Sequence, residues 1–182
     1  MKTVLPSPQL ARTGSLGPLS DEIILAVPGT FYVYQTLLTD EKPLYALLDC
    51  KANKGRPVLQ IGDLGREVHL HFEFDNSTRA QVTSIKGATK TGLIADAGVE
   101  FDDVYVAPAA VAIEDFYVLC AQRDSMKVRD LCEAACMGRE TAIEATPGMI
   151  IAMMTSGGKY GLFLVKELSP TSASLEACHI LF

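Results

Sequence analysis

The sequence predicts a mainly β protein, an antiparallel sandwich or barrel carrying one packed helix, with two related β units as a further feature. Three observations predict it. Short runs rich in β-branched and aromatic residues recur between Pro-Gly, Asn-Lys-Gly and Asp-Asn-Ser-Thr turn signals. Val68–Phe74 alternates strictly, with Val68, Leu70, Phe72 and Phe74 on one face and His69, His71 and Glu73 on the other. Only Ser125–Met137 repeats its apolar residues at helical spacing.

In chain order, residues 1–20 hold Pro6, Pro8, Gly14, Gly17 and Pro18 without periodicity and read as an extended arm, followed by one β-rich domain over 21–182. Strands are expected at Ile23–Val27, Thr30–Leu38, Leu44–Leu48, Val58–Ile61, Val68–Phe74, Arg79–Ile85, Val104–Ala107 and Phe116–Cys120. The helix follows from Val128, Leu131, Cys132, Ala135 and Cys136 at i, i+3, i+4, i+7 and i+8; Asp124 or Ser125 caps it and Gly138 ends it. Ile24–Thr36 and Ile143–Thr155 echo each other at a constant offset of 119 positions, with five of thirteen residues identical. This suggests an internal duplication of 22–74 and 140–182, in which the two segments take equivalent partners.

Composition narrows the function. Sixteen Lys and Arg against twenty-two Asp and Glu leave 182 residues with a net charge of −6, which argues against nucleic acid as a partner. An apolar content of 48% excludes disorder, and a mean hydropathy of +0.20 favours buried subunit contacts. No uninterrupted apolar stretch exceeds six residues, the length of Met149–Met154, so no membrane span is expected. No signal peptide is expected either, and five scattered cysteines without a CxxC motif point to a reducing compartment, cytoplasmic or within a virion.

Several residue groups bear on chemistry. His69 and His71 project from one face of a strand with Glu73 beside them, an arrangement that suits a divalent transition metal, and His179 is a possible third imidazole. The preferred reading is two half-exposed histidines on a polar face, with no metal and no cofactor. Cys132 and Cys136 match the core stripe of the helix. Gly87–Gly92 has phosphate-loop glycine spacing but Leu93-Ile94 replaces the Lys-Ser/Thr pair, which leaves a glycine-bounded loop. Ser156-Gly157-Gly158-Lys159 reads as a hairpin turn, and Glu100-Phe101-Asp102-Asp103 as a solvated acidic turn. Phe31, Tyr32, Tyr34 and Tyr45 form either strand core or a sugar- or peptide-binding face.

With no catalytic constellation complete, the sequence favours a non-enzymatic structural or assembly subunit of shell, virion or scaffold type. Its partners would be protein subunits, in a homo-oligomer or a larger assembly. The alternatives are a ligand- or carbohydrate-binding β-sandwich and a metal-dependent enzyme built on the His-x-His strand.

Overall fold

In a computed structural model, the described backbone comprises residues 24–25, 30–34, 36–37, 43–44, 46–49, 54–57, 68–74, 78–93, 98–170 and 172–181. Side chains are described for 69–74, 78–93, 98–170 and 173–178. The arm and the expected strand at Val58–Ile61 lie outside these residues.

Thirteen strands are described, all paired antiparallel. They are β1 (Ile24–Leu25), β2 (Thr30–Tyr34), β3 (Thr36–Leu37), β4 (Pro43–Leu44), β5 (Ala46–Asp49), β6 (Lys54–Pro57), β7 (Val68–Phe74), β8 (Ala80–Ser84), β9 (Val104–Pro108), β10 (Ala142–Ala145), β11 (Ile150–Thr155), β12 (Tyr160–Ser169) and β13 (Ser172–Leu181). The first sheet runs β1-β13-β12-β11-β9, with β2 also paired to β13; the second runs β10-β8-β7-β5-β6. β3 and β4 make a small ribbon.

The sheets face each other across a core of Leu70, Phe72, Phe74 and Val82 from the second sheet and Val106, Ile151, Met153, Phe163, Val165 and Leu175 from the first. They also meet at their edges. The Val106 N–H donates to the Glu140 carbonyl at 2.8 Å, β9 lies against β10, and β2 lies beside β6. The result is a β-sandwich whose two sheets also approach each other along their edges.

Helices form a third layer on the first sheet: α2 (Ile113–Gln122) and α3 (Ser125–Ala135), after a short α1 (Ile85–Lys90) at the end of β8. Phe116, Leu119 and Cys120 of α2 and Val128 and Cys132 of α3 pack on Ile150, Ala152, Leu162, Leu164 and Cys178. The first sheet is thus covered on both faces, which explains why β11 and the first half of β12 read as unbroken apolar runs. A bulge between Val165 and Glu167 shifts the alternation by one, so that Leu168 and not Glu167 turns toward the inter-sheet core.

Two sequence expectations are corrected here. Phe116–Cys120 is helix, not strand. A five-residue apolar run has too little length for periodicity to separate the two, and the deciding features are the i, i+3, i+4 burial of Phe116, Leu119 and Cys120 and the acidic first turn of Glu114 and Asp115. The strand expected over Arg79–Ile85 ends at Ser84, whose Oγ accepts the Gly87 N–H at 3.1 Å and starts α1. There are therefore three α-helices among the described residues where one was expected.

The expected helix itself is present. Asp124 caps it by accepting the Lys127 N–H at 3.0 Å, and it passes into a 3₁₀ turn at Cys136–Gly138. In the sequence echo, Thr146-Pro147-Gly148-Met149 is a turn closed by Met149 N–H to Thr146 O (3.1 Å), with glycine supplying a φ of 82°. The strands of the two echo segments take different partners. β1 and β2 both lie on β13, whereas β10 pairs with β8 in the second sheet and β11 with β9 and β12 in the first.

Tyr160 ties α3 to the first sheet. Its hydroxyl donates to Glu133 at 2.8 Å, Arg129 donates to the same oxygen at 2.9 Å, and the guanidinium stands over the tyrosine ring. Arg129 and then Tyr160 hold the Glu133 carboxyl below its usual range. A depressed carboxylate stabilises the fold fully above the ordinary glutamate value, and that contribution is lost as the pH falls from there through the lowered folded value. Tyr160→Phe is expected to cost about 1 kcal/mol near neutral pH. In urea denaturation the gap from wild type should narrow on acidification below the glutamate range.

Candidate functional site

The His-x-His strand is β7, the central strand of the second sheet. Leu70, Phe72 and Phe74 enter the inter-sheet core, so His69, His71 and Glu73 occupy the opposite face. This face is not the polar, half-open surface expected. His69 is 3% and His71 0% exposed. Cross-strand pairing sets His71 opposite Leu47 on β5 and Thr83 on β8. α1 folds back over this side, packing against β7 and burying Ile85 and Ala88.

The fold-back depends on Gly87. A Cβ there would come within 2.9 Å of Ser84 Oγ and 3.2 Å of Thr83 Cγ2. Gly92, at φ 76°, ends α1 in a Schellman turn, with Leu93 N–H bonded to Ala88 O at 2.9 Å and Gly92 N–H to Thr89 O at 3.1 Å. The stretch expected as a glycine-bounded loop is thus a capped helix packed against β7 and β8. Burial drives the pKa of His71 down to about 4, so the imidazole is neutral at physiological pH.

His179 belongs to the other sheet, opposite Gly161 in the β12–β13 pair. Among the described residues, no three His, Cys, Asp or Glu side chains are grouped to hold a metal ion. Glu73, Gln81 and Glu144 form a cross-strand row at the open end of the histidine face. With Arg79 they line a cleft of about 300 Å³. Arg79 and Glu144 are paired within it at 3.1 Å, which balances their charges.

The four described cysteines lie deep between the helices and the first sheet. Cys120, Cys132, Cys136 and Cys178 are free thiols in one apolar cluster. Cys132 donates to the Gly161 carbonyl at 3.3 Å, and burial pushes its pKa up to about 12 and that of Cys136 to about 11. A hydrogen bond with Cys178 raises Cys120 further. Such thiols pack as small hydrophobes and supply no thiolate nucleophile near neutral pH.

The acidic turn carries two ion pairs at the surface. Lys86 of α1 donates to Asp103 at 2.6 Å, and Lys159 of the β11–β12 turn reaches Asp102 at 3.7 Å. That turn is a glycine hairpin: Gly158 has a φ of 82° and its N–H bonds Thr155 O at 3.0 Å. The side chains of Phe31, Tyr32, Tyr34 and Tyr45 lie outside the described set.

One surface feature had no signal in the strand reading of Phe116–Cys120. Once that run is helical, it turns Ile113 (40% exposed), Tyr117 (37%) and Val118 (48%) away from the core, with Met126 (55%) of α3 also exposed. Tyr117 is held in place. Its hydroxyl bonds Lys166 Nζ at 2.9 Å, the ammonium stands 5.7 Å from the ring centroid, and Phe116 meets the ring edge-on at 5.5 Å.

No protein-family model, curated protein or solved structure matches this chain. No helix among the described residues is long and apolar enough to cross a membrane.

Proposed function

We propose that this protein is a non-enzymatic structural subunit, of shell, virion or scaffold type, that works through contacts with other protein subunits. The observation that carries the reading is the outward apolar stripe of α2, with Ile113, Tyr117 and Val118 exposed on a helix already docked by its opposite face. The groups best suited to chemistry point the same way. The described thiols and His71 are enclosed in packed layers, and the acidic turn is engaged by lysines. The sheet edges meet each other, so strand addition is a poorer route to assembly than helix-face packing.

Residues 1–20 extend the reading, with Val4, Leu5, Leu10 and Leu16 as apolar anchors in a segment too rich in Pro and Gly for a regular element. Sedimentation of the full chain should give species heavier than the 19.6 kDa monomer. Removing residues 1–20 should weaken assembly while preserving the β-rich circular dichroism spectrum. A full-length chain that stays monomeric without a binding partner would count against the reading, and a ligand-binding domain would replace it.

A further inference from the structure

We infer that α2 is a self-association surface, packing antiparallel against α2 of a second copy about a two-fold axis that passes between Tyr117 and Val118. The inference rests on the assembly reading and gives that reading a partner and a geometry. Three properties of the helix support it.

First, the exposed apolar residues are arranged as a contact. Ile113, Tyr117 and Ala121 follow one another at i, i+4 and i+8, and Val118 flanks them. Their centre falls at Tyr117 and Val118, the midpoint of the ten-residue helix. A two-fold axis there brings each stripe onto its own copy, as an isologous interface requires.

Second, the charges are polarised along the helix. Glu114 and Asp115 stand in the first turn, while Arg123 forms the C-cap and Lys127 follows at the start of α3. All four are exposed, and among the described residues none of them makes an ion pair. Antiparallel pairing sets Glu114 and Asp115 of each copy against Arg123 of the other. A parallel arrangement would set like against like.

Third, Tyr117 is preorganised. Lys166 fixes its hydroxyl, and Lys166 is itself anchored to Glu176 at 3.3 Å. An aromatic anchor already locked in one rotamer loses little entropy on burial. One helix face supplies less than the roughly 800 Å² per partner of a standard interface, so the dimer should be reversible and salt-sensitive.

The test is sedimentation velocity on the full chain between about 1 and 500 µM, a range that resolves a weak dimer. Circular dichroism confirms that each variant is folded. Val118→Asp should weaken dimerisation about tenfold or more by placing a charge in the contact. Glu114→Arg and Arg123→Glu should each weaken it, and mixing these two variants should restore a dimer, because the mixed pair again opposes unlike charges between positions 114 and 123 at both contacts. An oligomer indifferent to all three substitutions, or a mixture that fails to recover, overturns the α2 interface and leaves assembly through other surfaces standing. A monomer at every concentration overturns both this interface and the assembly reading.

Discussion

Phe116→Ala is expected to lower the unfolding free energy by about 3–5 kcal/mol, the range for truncating a buried phenylalanine. Phe116 is wholly buried and is the largest side chain that α2 inserts against the first sheet. A ten-residue helix does not hold its shape alone in water, so α2 depends on this contact more than on its own backbone bonds. Neighbouring Leu119 and Cys120 are anchored to the same surface and cannot move to fill the vacated space without breaking their own contacts. Phe116→Leu should recover much of the loss. Urea denaturation of the two variants checks both statements, and a loss below about 1 kcal/mol for the alanine variant would be inconsistent with such a docked helix.

The second large effect is an acid lability that resides in one side chain. His71 titrates near 4 in the folded protein because burial disfavours its charged form, and near 6.5 when unfolded. Between those values the unfolded chain binds the extra proton, so stability is fully present above about pH 6.5, declines as the pH falls, and levels off below about pH 4. The gap between the two values corresponds to about 3 kcal/mol. His71→Gln cannot titrate in this window. Whatever its stability at neutral pH, its profile should be flatter than that of wild type by about this amount between pH 7 and pH 4. Parallel profiles for the two proteins would show that His71 is not enclosed in the folded state. The Glu133 effect belongs to the lower, glutamate range, so the two contributions separate along the pH axis.

Strands whose pattern is local were legible in the sequence. β7 spans Val68–Phe74 as its alternation requires, the Ser156–Lys159 turn joins β11 to β12, and α3 follows its apolar stripe from a cap at Asp124. Burial of Cys132 and Cys136 was equally legible, since helical spacing put them on the stripe that had to face a core. The candidate site was less so. Alternation in β7 assigns the histidines to the face opposite Phe72, but no local feature says that this face will be buried. The lysines that engage Asp102 and Asp103 come from α1 and from the β11–β12 turn, more than fifteen and fifty residues away in the sequence.

The sequence by itself determined which residues alternate, which repeat every three or four positions, and where the chain must turn, because these follow from backbone geometry and adjacent side chains. Only the tertiary structure decided that Phe116–Cys120 would be helix, that His69 and His71 would be enclosed, and that the two sheets would meet along their edges. Each of those outcomes depends on burying a second face against an element distant in sequence. The free energy of such burial is gained only when the layers assemble, and it exceeds the small local preference of a five-residue run for strand over helix.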